Sequence, residues 1–106
     1  MAQFDVHVNP GFRRDAIPFV VIVQSRRLDR SKRRIVIPLV DKTKFHRIDE
    51  PRLNPTFRVA GREVVLDPLQ IVSVAVEALG PFAESLAEFG DDIIAALDVV
   101  ISRSYG

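Results

Sequence analysis

The sequence contains no cysteine and no tryptophan. The missing cysteine excludes disulfides, thiolate metal ligands, thiol nucleophiles and thiol redox switches together. It suits a reducing compartment. The start, Met1-Ala2-Gln3-Phe4-Asp5, also lacks the basic and apolar segments of a secretory leader. A cytoplasmic protein is expected. Histidine occurs only at His7 and His46, so the paired spacing of a metal site is missing. The five glycines are scattered at 11, 61, 80, 90 and 106, which excludes a glycine-rich phosphate loop. The longest apolar run, 16–23, is eight residues long and contains Pro18. A membrane span needs about twenty. No membrane, metal or cofactor is therefore expected.

Catalytic constellations are equally absent. The serines at 25, 31, 73, 85, 102 and 104 sit in no nucleophile elbow. Ser73 lies inside a valine-rich run and reads as structural. His7 alternates onto the polar side of its segment and reads as a solvated or hydrogen-bonded histidine. Asp91-Asp92 reads as the start of a helix, where carboxylates favour the N-terminal dipole. Asp49-Glu50, before Pro51, reads as solvated loop. No catalytic constellation is visible.

What is present is an ordinary globular composition. The 106 residues are 47% hydrophobic and 27% charged, enough for one domain over 1–106. The net charge of +1 conceals an asymmetry. Residues 1–62 carry 14 Lys/Arg against 6 Asp/Glu, a net of +8. Residues 63–106 carry 1 against 8, a net of −7. The cations cluster most densely at Arg26, Arg27, Arg30, Lys32, Arg33 and Arg34. No aromatic residue interleaves with them, so stacking on nucleic acid is not supported. A solvated loop, a contact for an acidic protein segment and, least favoured, a nucleic-acid contact are the alternatives.

Periodicity predicts strands first. Phe4, Val6 and Val8 alternate with polar residues, as in a half-buried strand. Residues 19–24 form a β-branched run. Residues 35–37 begin a third strand, which Pro38 limits or places at an edge or bulge. Residues 42–55 read as an irregular loop. Residues 56–60 and 63–66 flank Gly61-Arg62, a hairpin with its turn at that pair. Residues 71–76 form another strand. The period then changes. Leu79, Phe82, Leu86 and Phe89 recur at helical spacing, which predicts a short helix entered near Pro81 and ended by Gly90. Asp91 is expected to cap a second helix carrying the stripe Ile93, Leu97, Val100 and Ile101. The expected fold is mainly β, antiparallel, with helix packed on one sheet face.

Several segments, in order and over nearly the whole chain, resemble the CcdB family of toxins. They are Gln3-Phe4 with Val6, then Val23-Gln24-Ser25, and Arg33-Arg34-Ile35-Val36-Ile37-Pro38-Leu39. Leu53-Asn54-Pro55, Val72-Ser73-Val74, Leu79-Gly80 and Asp92-Ile93 through Ala96-Leu97-Asp98 follow. The basic segment running into Ile37-Pro38-Leu39, together with the spacing from Leu79-Gly80 to the last helix, is the most specific part.

The resemblance implies an SH3-like barrel of antiparallel strands with a small extra sheet and a C-terminal helix. It implies a homodimer and a toxin of a type II toxin–antitoxin pair. The toxin would bind and poison the A subunit of DNA gyrase without enzymatic activity or direct nucleic-acid contact. A CcdA-like antitoxin with a disordered acidic tail would neutralise it. On this reading Ser102, Arg103, Ser104, Tyr105 and Gly106 contact gyrase. Val100 and Ile101 form the dimer interface. Arg26, Arg27, Arg30, Arg33 and Arg34 attract the antitoxin. The best-known member carries Phe-Trp-Gly-Ile where this chain has Ile101-Ser102-Arg103-Ser104, and Ala75 replaces a proline. One alternative is a divergent member that dimerises and binds antitoxin without poisoning gyrase. The other is a MazF-like endoribonuclease, with Arg13 or Arg34 stabilising phosphate charge.

Overall fold

The computed structural model describes residues 1–11 and 13–102. Seven strands and one helix follow in order: β1 Asp5–Val8, β2 Phe19–Ile22, β3 Arg33–Asp41, β4 Thr56–Val59, β5 Arg62–Leu66, β6 Val72–Ala75, β7 Phe82–Ser85 and α1 Gly90–Ile101. Strand pairing is antiparallel throughout, in the order β4-β5-β3-β2-β1-β7, with β6 also paired to β3. The sheet curls into a half-barrel with α1 on its inner face, consistent with an SH3-like barrel. All seven strands belong to one branched sheet. No separate small sheet is present among the described residues.

β3 is the branch point, and Pro38 sits where it branches. On one edge β3 pairs β2 continuously from Val36 to Leu39. On the other edge it pairs β6 over 33–36 and β5 over 39–41. The Pro38 carbonyl faces that second edge and accepts from Asp67 N–H at 3.1 Å. Proline's missing N–H points the same way, into the gap between β6 and β5. No ladder bond is lost there, so Pro38 lies inside a nine-residue strand rather than ending it.

The main core lies between the sheet and α1. It joins Val6, Val21, Ile37, Leu39, Val59, Val64 and Leu66 from the strands to Ile93 and Ala96 from the helix. Full burial of such a side chain contributes about 1.5–3 kcal/mol. A second cluster of Val20, Ile22 and Val36 occupies the opposite face of the sheet, with Val74 and Leu79 against it. β2 is thus buried on both faces, which explains its unbroken apolar run.

Three local expectations are corrected. First, the hairpin turn is Ala60-Gly61, because Val59 pairs directly with Arg62. Both turn residues have positive φ, 49° and 80°, as a two-residue turn of this hand requires. Second, residues 82–85 form a strand instead of a helix. Phe82 pairs with His7 and Ser85 with Asp5, with a bulge between. A 3-10 turn on each side, Val76–Ala78 and Ala87–Phe89, completes an apolar spacing that imitates a helix. Third, Gly90 opens α1 instead of closing a preceding helix. The cap position belongs to Phe89, with no side-chain cap bond, and Asp91 and Asp92 occupy the first turn. A Cβ on Gly90 would come within 2.7 Å of the Phe4 ring, so a larger residue there would have to displace that ring.

Candidate partner-binding site

The basic loop between β2 and β3 is built on two buried polar side chains. Gln24 and Arg34 are only 7% and 6% exposed. The Gln24 amide donates to the Leu28 and Arg33 carbonyls, each at 3.1 Å, and its oxygen accepts from Ile35 N–H. The Arg34 guanidinium donates to the carbonyls of Ser31 at 2.7 Å, Arg33 at 2.9 Å and Asp29 at 2.9 Å. Ser25 caps a 3-10 turn over Arg26–Leu28 by accepting from Arg27 N–H. Gln24 and Ser25 belong to one of the resembling segments. Their function here is to shape the loop.

Above this scaffold Arg26, Arg27, Arg30 and Lys32 are exposed. Among the described residues none of them forms an ion pair. Arg33 is exposed but reaches across to β6, donating to the Ser73 hydroxyl at 2.7 Å and carbonyl at 2.8 Å. The basic residues therefore divide. Arg26, Arg27 and Arg30 present free charge, Arg33 ties two strands, and Arg34 lies beneath the loop. Charge counting had treated all five alike.

The helix end is the second candidate surface. Ile93 is fully buried and Leu97 packs on the core, as the apolar stripe predicts. Val100 and Ile101 belong to neither apolar cluster and are 40% and 73% exposed. Ser102 is exposed and extended, with ψ 149°. Arg103, Ser104, Tyr105 and Gly106 lie outside the described residues.

A third constellation was missed from sequence. Asp41, Lys42, Thr43, Arg58, Arg62 and Glu63 line an open cleft of about 570 Å³. Asp41 accepts from the Thr43 hydroxyl at 2.6 Å, the Thr43 N–H at 2.9 Å and Arg62 at 2.5 Å. The Thr43 hydroxyl and the Arg62 guanidinium hold its carboxyl down at about 2. Lys42 and Arg58 face Glu63 at 3.7 and 4.0 Å. The cations here are already answered by carboxylates. A partner between residues so distant in sequence leaves no local signal.

The histidines differ. His46 is exposed and stacks on Phe45. His7 is 5% exposed, contrary to its place in the alternation, because the segment around Leu79-Gly80 covers that face. Its Nδ1 lies 2.8 Å from the Gly80 carbonyl and must carry the proton, since a carbonyl only accepts. Among the described residues no group of three His, Asp or Glu side chains is placed to hold a metal. No described helix is long and apolar enough to cross a membrane. Arg13 shares a hollow of about 200 Å³ with Lys44, His46 and Asp67, whereas buried Arg34 cannot reach a phosphate.

A family model described as CcdB protein matches residues 3–102. The chain belongs to the CcdB family. No match is found among curated proteins. Membership supports a toxin partnered with an antitoxin. Gln24, Arg34, Asn54 and Gly80 all lie within the matched residues, and all four are fixed by packing or hydrogen bonds. Asn54 donates to Leu66 O at 3.1 Å. A Cβ on Gly80 would meet Val8 O at 2.5 Å. These contacts hold loops and strands of the barrel in place.

Proposed function

We propose that the protein is a non-enzymatic toxin that binds the A subunit of DNA gyrase as a homodimer and traps it on cleaved DNA. The observation that carries this reading is the exposed apolar helix end at Val100 and Ile101. An isologous contact there would bring two chain ends side by side. Ser102 and the following 103–106 would then meet gyrase together. Arg26, Arg27 and Arg30 would attract the acidic tail of the antitoxin, with Arg33 and Arg34 holding the loop in shape. Cytoplasmic gyrase and antitoxin are the partners this assigns.

Binding of the purified protein to immobilised gyrase A subunit tests the target. Saturable binding is expected, lost in a variant lacking residues 104–106. Equal binding by that variant would contradict the tail's part. The missing tryptophan favours one second reading, a family member that dimerises and binds antitoxin without poisoning gyrase. A large aromatic side chain often dominates such a contact. A folded dimer that binds antitoxin but not gyrase would support it.

A further inference from the structure

Arg34 is a buried cation with no carboxylate partner among the described residues. Its guanidinium is spent on three carbonyls of one loop, and its Nε makes no hydrogen bond. A buried charge costs desolvation, and an apolar side chain of similar size often gives a more stable protein. Gln24 satisfies two further backbone groups, the Leu28 carbonyl and the Ile35 N–H, and shares the Arg33 carbonyl with Arg34. Together the two side chains make six hydrogen bonds to a segment that is otherwise exposed.

We propose that Arg34 and Gln24 are positioning residues that fix the 25–33 loop as a preformed cationic platform for an acidic peptide. The proposal rests on the acidic partner proposed above. Arg26, Arg27, Arg30 and Lys32 are long side chains on a short connection. On a mobile loop, binding would first have to order the backbone, and that ordering opposes affinity. The clamp removes this cost before the partner arrives. The Arg34 charge also adds to the field of the platform, since little water screens it.

Lysine cannot replace this arrangement. It keeps the charge, but a compact ammonium lacks the planar fork that reaches three carbonyls at once. Positioning and contact residues therefore separate by experiment. A contact residue sets the number of ion pairs and hence the salt dependence of binding. A positioning residue changes affinity at an unchanged salt dependence.

The test measures binding of a short labelled oligoglutamate peptide to the full chain across a salt series, with amide exchange measured alongside. Arg34→Lys is expected to weaken binding on the order of fivefold with the salt slope retained. Amides of residues 28–31 should exchange roughly tenfold faster. Gln24→Met, which removes three of the bonds and no charge, should act the same way and guards against misfolding of the first variant. Arg30→Glu should weaken binding and flatten the salt slope while leaving loop exchange unchanged. Native affinity and native loop protection in both Arg34→Lys and Gln24→Met would overturn the positioning role. Unchanged binding in Arg30→Glu would instead overturn the acidic-partner reading, with exchange in the other two variants still deciding the clamp.

Discussion

The Glu84 carboxylate on β7 accepts a hydrogen bond from the Ala60 N–H in the β4–β5 turn, at 2.7 Å. β4 and β7 are the two ends of the strand order, so this bond links the open margins of the half-barrel. Glu84→Ala removes it and should destabilise the fold by about 1 kcal/mol. Glu84→Gln retains an acceptor and should lose less. Urea unfolding checks this, with a lower midpoint and an unchanged slope expected for Glu84→Ala.

Ala60 adopts φ 49°, a conformation that disfavours a side chain with a plain Cβ. Ala60→Asn creates an Asn-Gly turn in the same geometry and keeps the N–H that Glu84 accepts. It should stabilise the protein by about 0.5–1 kcal/mol. Thermal unfolding of the single variant decides it. A lowered midpoint would contradict the assigned turn.

The turn also shows what sequence reveals and where it stops. Two flanking β-branched runs announced the hairpin, and only the choice of turn pair slipped by one residue. β1 and α1 were legible because each carries a period set by one buried face, whereas β2 and β6 were legible as runs rich in β-branched residues. β7 was not legible. Phe82 and Leu86 share a helical interval, but pairing of residues 82–85 with β1 overrides it. His7 is hydrogen-bonded, one of its two expected states, and it is dry because the sheet carries a second apolar cluster on that face. The basic loop was visible as charge. Its division into presenting and supporting arginines depends on burial, which charge patterning cannot supply.

Asp41 gives a pH prediction with a definite sign. Its carboxyl is held down at about 2 by the Thr43 hydroxyl, the Arg62 guanidinium and the Thr43 N–H. A folded-state value below the unfolded one means the unfolded chain binds the proton first. The stabilisation is complete above the ordinary carboxylate value near 4 and is lost as pH falls toward 2. Wild-type stability should therefore decline through that window. Asp41→Asn should be less stable at neutral pH and should decline less steeply on acidification. Parallel curves would contradict the Asp41 contribution.

Ile101 is 73% exposed at the end of a helix that buries Ile93 and Ala96. If it joins a two-fold interface, Ile101→Glu places like charges across the axis and should shift the protein to monomer. Sedimentation at several concentrations measures this. The variant should keep its helical content, since the Ile101 side chain is not part of the core. A dimer of undiminished strength would move the interface elsewhere.

The central claim is that a CcdB-family chain without tryptophan traps gyrase through its paired ends. Purified protein, gyrase, ATP and supercoiled plasmid test it directly, with linear DNA scored after a denaturing quench. The account predicts linear DNA that accumulates with wild-type protein and is absent with the variant lacking residues 104–106. No linear DNA from a protein confirmed as a folded dimer would contradict it.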